Sequence, residues 1–121
     1  MKIREIAEVL GAEVLTPNAD LDREVHNACG SDMMSDVLAF VKEQAVLITG
    51  LTNPQVVRTC SMMDMICIVF VRGKRPDEAA LKLAQEFDIT VLATKRTMFS
   101  ACGLLYERGL RGGVRADSID D

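Results

Sequence analysis

Ile66-Cys67-Ile68-Val69-Phe70-Val71 is a run of six apolar residues, four of them β-branched. It has no polar/apolar alternation, so a strand with one wet face is excluded. It is also too short for a buried helix. A continuous apolar run of this kind suits a strand covered on both faces of a parallel sheet. Two more runs share the pattern, Ala45-Val46-Leu47-Ile48-Thr49 before it and Ile89-Thr90-Val91-Leu92-Ala93 after it. Their starts lie 21 and 23 residues apart, room for one short helix in each gap. The gaps carry the matching signals. Thr52-Asn53-Pro54 is a cap followed by proline at the first helical position, and Val56, Val57, Cys60 and Met63 then recur at helical spacing. Pro76-Asp77-Glu78 leads into Ala80, Leu83, Ala84 and Phe87, with acidic residues where the helix dipole favours them. After the third run, Thr97 is a cap for Met98, Ala101, Cys102 and Leu105, and Gly109 is the stop.

Outward from this centre the signals are shorter. Ile3, Ile6, Ala7 and Leu10 mark an amphipathic helix ended by Gly11. Residues 12–15 predict a brief edge strand and residues 25–30 a further strand, with a solvated acidic loop over 18–24 between them. Asp20, Asp22 and Glu24 in that loop lack the glycine and late glutamate of a calcium loop. Ser35 is placed as the cap of a helix carrying Val37, Leu38, Phe40 and Val41. The expected fold is one α/β domain over residues 1–110. It has a mainly parallel sheet of about five strands, at 12–15, 25–30, 45–49, 66–71 and 89–93, built from βα repeats. Residues 111–121 (RGGVRADSIDD) carry no core pattern and are expected to form a disordered tail.

The 121 residues are 49% apolar and 26% charged, with a net charge of −4. That is too apolar for a disordered chain, and the acidic balance gives no support to nucleic-acid binding. No apolar run approaches a membrane span, and the first ten residues carry four charges, so neither a membrane segment nor an export signal is read. The cytoplasm is the expected compartment. Cys29, Cys60, Cys67 and Cys102 contain no C-x-x-C pair, and His26 is the single histidine. No metal and no cofactor is therefore expected; Cys60, Cys67 and Cys102 lie in apolar segments and read as buried thiols. Val71-Arg72-Gly73-Lys74-Arg75-Pro76 lacks both the first glycine and the hydroxyl of a phosphate-binding P-loop. No nucleophile–base pair is spaced for catalysis.

In a parallel sheet, ligands sit beyond the carboxyl ends of the strands. The sequence puts Ser31 and Asp32 after the second strand and Thr49, Gly50, Thr52 and Asn53 after the third. Arg72, Gly73, Lys74 and Arg75 follow the fourth, and Thr94, Lys95, Arg96 and Thr97 the fifth. The charge is uneven as well. Residues 1–50 hold four bases and nine acids, and residues 51–121 ten bases and nine acids. A basic rim above helix N-termini is a candidate anion site, and the same residues also serve as ordinary solvated turns. The candidate ligand-binding set is Arg72, Gly73, Lys74, Arg75, Thr94, Lys95, Thr97, Ser31, Asp32, Thr52 and Asn53.

The order Arg72-Gly73-Lys74-Arg75-Pro76-Asp77-Glu78, an Ala/Leu helix, Ile89 to Thr94 and then a helix opened by Thr97 resembles the DRTGG domain family. More distantly it resembles the amino-terminal domain of HPr kinase/phosphorylase. The opening KIREIAEVLGAEVLT, Asp22-Arg23-Glu24-Val25 and Ser31-Asp32 with Asp36-Val37-Leu38 share the likeness, which runs from Met1 to about Leu110. The family's name-giving residues would fall near Leu51, Thr52 and Asn53 and near Val71, Arg72 and Gly73, where only Gly73 matches. The resemblance implies an accessory regulatory domain of the kind found beside CBS pairs or enzymes, with no kinase activity to inherit.

The functional expectation is a non-catalytic regulatory protein sensing a nucleotide or phosphorylated metabolite. The alternative is an interaction or oligomerisation module docking on a partner enzyme or CBS-domain protein. A homodimer is expected as well, with Met33, Met34 and the following helix at the contact.

Overall fold

The computed structural model describes residues 1–39 and 43–112. The described residues form five helices and five strands, which alternate from β2 onward. They are α1 (Ile3–Leu10), β1 (Glu13–Val14), β2 (Asn27–Gly30), α2 (Met34–Leu38), β3 (Ala45–Thr49), α3 (Pro54–Met62), β4 (Met65–Phe70), α4 (Glu78–Glu86), β5 (Thr90–Ala93) and α5 (Met98–Glu107). The sheet order is β1-β5-β4-β3-β2. β2 to β5 are all parallel, and β1 pairs with β5 antiparallel at one edge. The mainly parallel sheet, with 66–71 at its centre and 12–15 at its rim, is as the sequence predicts.

The continuous apolar runs are explained by layers on both faces. Along β3, Val46 and Ile48 pack with α1 and α5, through Ile3, Ile6, Leu10, Ala101 and Leu105. Ala45 and Leu47 pack the other way, against Val37, Val56, Val57, Cys60, Ala80 and Ala84 of α2, α3 and α4. β4 alternates likewise, with Cys67 and Val69 on the first side and Ile68 and Phe70 on the second. Every residue of β3, β4 and β5 is buried. Each such aliphatic or aromatic side chain stabilises the fold by roughly 1.5–3 kcal/mol relative to exposure. The register slips once. Ala45 pairs with Met65 but Val46 with Cys67, so Ile66 is an extra residue, and Ile66 and Cys67 both join the α1/α5 side.

Three successive crossovers through α2, α3 and α4 step in one direction across the sheet. Their side chains gather in one core cluster, as repeated right-handed connections require. α5, after the last strand, goes to the opposite face beside α1. The carboxyl ends of four strands therefore open on one side of the molecule.

Local signals decide most boundaries. The Asn53, Asp77 and Thr97 side chains accept hydrogen bonds from the N–H groups of Val56, Ala80 and Ser100; the caps of α3 and α5 are as expected, while Asp77, read as a first-turn acid, is itself the cap of α4. Gly11 ends α1 at φ 59. One cap differs. α2 begins at Met34 with Met33 as its cap and no side-chain cap bond, so Ser35 lies inside the helix. Ser31 makes a turn just ahead of the helix, its Oγ accepting from Met33 N–H at 3.0 Å, and caps none of the helix's own amides. Phe40 and Val41, expected on this helix, lie outside the described residues, as does 113–121 of the expected tail. Arg111 and Gly112, the two tail residues that are described, lie along β2: Ala28 N–H donates to Arg111 O at 2.9 Å, and Ala28 bridges to Gly112. No helix among the described residues is long and apolar enough to cross a membrane.

Candidate ligand site at the strand ends

The four parallel strands deliver four loops to one end of the sheet, and hydrogen bonds lash them together. Asp32, two residues beyond β2, reaches over the end of β3. Its Oδ1 accepts from Thr49 Oγ1 at 2.9 Å and from Gly50 N–H at 2.7 Å. Thr49 is fully buried, and its hydroxyl also accepts from Leu51 N–H. From the far side comes Arg72, beyond β4. A Cβ placed on Gly50 would lie 3.3 Å from Arg72 Nη2 and 3.5 Å from Asp32 Oδ1, so a guanidinium and a carboxylate meet over one glycine. A carboxylate thus already fills the place at Gly50 N–H where an anion would dock.

The loops after β4 and β5 are joined through their backbones. Arg72 N–H donates to Arg96 O at 2.8 Å and Gly73 N–H to Thr94 O at 2.9 Å. These bonds hold Arg72 at φ 59 and Gly73 at φ 71, consecutive left-handed residues. Glycine adopts that region freely, whereas arginine does so at a cost of about 1–2 kcal/mol. Strain of this sort persists where surrounding contacts over-determine it, and it concentrates at functional sites.

The remaining candidates divide into three groups. Lys74 and Lys95 are exposed at the same end, with no side-chain partner among the described residues. Arg75 points elsewhere. Its Nη1 and Nη2 donate to Glu13 Oε1 and Oε2 at 3.1 and 3.2 Å, a two-pronged clamp on the edge strand β1. The guanidinium holds the Glu13 carboxyl below the usual glutamate range. The hydroxyl and amide candidates are engaged locally. Thr94 is buried and donates to Leu10 O at 2.8 Å while accepting from Arg96 N–H; Thr97 and Asn53 are caps; Ser31 exchanges bonds with Met33. Thr52 lies half-buried in the β3–α3 loop. The structure thus brings the loops that carry Asp32, Arg72, Gly73, Lys74 and Lys95 to one end of the sheet, and it adds Gly50, which Arg72 and Asp32 both border. The signal for Gly50 was its place directly after a buried strand.

The only histidine, His26, is at the other end of the sheet, before β2, with Nδ1 3.7 Å from Glu43. Cys60 and Cys67 are buried, and burial pushes the Cys67 thiol far up. Cys102, expected to be buried, is only half-buried because α5 turns one side outward, and desolvation raises its thiol as well. No disulfide joins the four cysteines. Among the described residues, no three His, Cys, Asp or Glu side chains are grouped to hold a metal ion.

The family model described as the DRTGG domain matches residues 5–107. No curated protein matches the chain. Among solved structures, the regulatory region of Clostridium perfringens pyrophosphatase, comprising CBS and DRTGG domains and complexed with its activator diadenosine tetraphosphate, superposes with a TM-score of 0.71 at 18% identity. The match covers 98% of this chain and 52% of that one, so the chain spans about half the length of its neighbour.

Proposed function

The chain belongs to the DRTGG domain family, and from that premise we propose that it is a non-catalytic regulatory module sensing a nucleotide or another phosphorylated metabolite at the carboxyl ends of its parallel strands. The observation that carries this reading is Arg72, held in a strained backbone conformation with its guanidinium and the Asp32 carboxylate both bordering Gly50. Arg72, Lys74 and Lys95 supply charge for phosphates, and Asp32 Oδ2 offers an acceptor for a sugar hydroxyl or base amine, the division of labour seen in other strand-end nucleotide sites. The pyrophosphatase neighbour, crystallised with a dinucleoside polyphosphate activator, supports the ligand class.

A sensing role fits better than catalysis because the hydroxyls near the site are already committed. Ser31, Thr49, Thr94 and Thr97 each bond to backbone or to Asp32, and the histidine is at the opposite end of the sheet. The setting we infer is the cytoplasm.

Thermal unfolding with diadenosine tetraphosphate, ATP, AMP and inorganic pyrophosphate tests the reading. A ligand at about 100 times its Kd adds about 2.7 kcal/mol of stability. The Arg72→Ala/Lys74→Ala/Lys95→Ala variant should lose that gain, whereas Arg75→Ala, which only frees Glu13, should keep it. Absence of any shift, or a shift retained in the triple variant, refutes the site.

A second reading is docking on a partner enzyme or a CBS-domain protein. It is favoured by the neighbour's architecture, where a DRTGG domain accompanies CBS domains within a pyrophosphatase. Co-purification of the tagged protein with a CBS-domain protein of the same cell tests it.

A further inference from the structure

The outward side of α5 is apolar where a surface helix should be polar. Met98–Glu107 contains one charged residue, Glu107, at its last position. One side of the helix is core, with Ala101 and Leu105 buried. The other side presents Phe99, 88% exposed, and Tyr106, 48% exposed, on either side of Gly103. With Arg96 and Glu107 at the ends, these residues line a shallow groove along the helix. A helix apolar on all sides is normally covered on all sides.

Gly103 sharpens the point. Glycine in mid-helix is costly, and here the fold gives no reason for it, since a Cβ at 103 would meet nothing within 4 Å. Gly30, by contrast, is explained within the chain: a Cβ there would stand 2.7 Å from Cys102 Sγ. Nothing inside the chain requires a glycine at 103, and the position leaves room for another body to approach the helix closely.

We propose that this body is a second copy of the chain, packed two-fold with its α5 antiparallel to the first. The charges select that occupant. When two α5 helices cross antiparallel between Ala101 and Cys102, Arg96 faces the partner's Glu107 at both ends of the contact. Phe99 faces the partner's Leu104, and Ser100 the partner's Gly103, so the smallest residues meet at the crossing. The surface is self-complementary, as a two-fold interface must be. Aromatic anchors lie within it, the composition that dominates binding energy at interfaces. Arg111, stacked 3.8 Å from the Tyr106 ring centroid, forms its basic rim. The contact places the dimer on α5 rather than at Met33 and Met34, and through Arg96, whose carbonyl accepts from Arg72 N–H, it borders the ligand site.

Sedimentation equilibrium of the full chain tests the arrangement. The wild type should reach twice the 13.3 kDa chain mass at high micromolar concentration. Phe99→Asp and Gly103→Leu should each weaken association by about tenfold or more with the circular dichroism spectrum unchanged. Arg96→Glu and Glu107→Arg should each weaken it, and the two together should restore it, because each charge then again faces its opposite. A monomer at every concentration overturns the proposal. So does a dimer indifferent to Phe99→Asp and Gly103→Leu, or a charge reversal that the double variant does not repair.

Discussion

Asp32 and Gly50 are joined by a 2.7 Å hydrogen bond in which the Gly50 amide donates to Oδ1, and the same oxygen accepts from the buried Thr49 hydroxyl at 2.9 Å. One carboxylate oxygen therefore closes the end of β3 and ties to it the loop that follows β2. The bond also shapes the candidate site, because it turns what would be an empty backbone cradle into an acidic acceptor beside Arg72.

Asp32→Ala should destabilise the protein by about 1–2 kcal/mol, since it leaves the Thr49 hydroxyl without an acceptor in a buried position. Asp32→Asn keeps an acceptor oxygen in place and should cost less than half as much. Urea unfolding of the two variants separates the cases; equal losses would mean that the charge rather than the hydrogen bonds matters.

Gly30 and Cys102 should show strong coupling. Gly30→Ala forces a methyl to 2.7 Å from Cys102 Sγ, an overpacking expected to cost roughly 1–3 kcal/mol. Cys102→Ala removes the obstructing sulfur, so the double variant should be more stable than the two single losses summed. A double-mutant cycle with a coupling energy below about 0.5 kcal/mol would contradict the close approach.

Arg72→Gly should separate stability from ligand response. It relieves a left-handed arginine at φ 59, while glycine adds freedom to the unfolded chain; the two effects oppose each other at about 1 kcal/mol each. Stability should stay within ~1 kcal/mol of wild type, and the nucleotide-induced shift should vanish. A loss of more than ~2 kcal/mol would show the guanidinium to be a structural strut.

The Glu13–Arg75 clamp predicts a pH dependence. Hydrogen bonding and charge from Arg75 lower the Glu13 carboxyl in the folded state. A depressed acid stabilises the fold above its unfolded pKa, and the contribution is lost as pH falls through the folded pKa. The wild type should therefore exceed Glu13→Gln in urea midpoint at neutral pH, with the gap closing on acidification. Both groups are exposed, so the gap should also shrink as salt is added. A gap that is constant with pH would exclude the ion pair as its source.

The sheet was legible because its cause is local. Three unbroken apolar runs at even spacing, separated by Asn53-Pro54 and Asp77 caps, admit few arrangements other than parallel strands with helices between them. Gly11 and Thr97 announced their helix ends for the same reason: a left-handed C-cap and a side-chain N-cap are properties of a few consecutive residues. Ser35 misled because a serine caps only where the helix starts after it, and this helix starts one residue earlier, at Met34, with no side-chain cap.

What the tertiary structure decided is how the strand-end residues use their atoms. Arg72 and Arg75 are three residues apart in one basic loop, and nothing local tells them apart. The fold turns one over Gly50 toward Asp32 and pairs the other with Glu13, 62 residues earlier in the chain. Thr94 reads as a loop hydroxyl, yet α1 ends against it and takes its proton at Leu10 O. The outward side of α5 follows the same rule. Phe99 and Leu105 have equal claims to the core by composition, and only the direction from which the sheet covers the helix leaves Phe99 in water and Leu105 buried. Hydrophobic pattern and capping act within a few residues and determine the elements. The partner of a charge and the exposed side of an apolar helix depend on residues far apart in sequence, so they exist only once the chain has closed on itself.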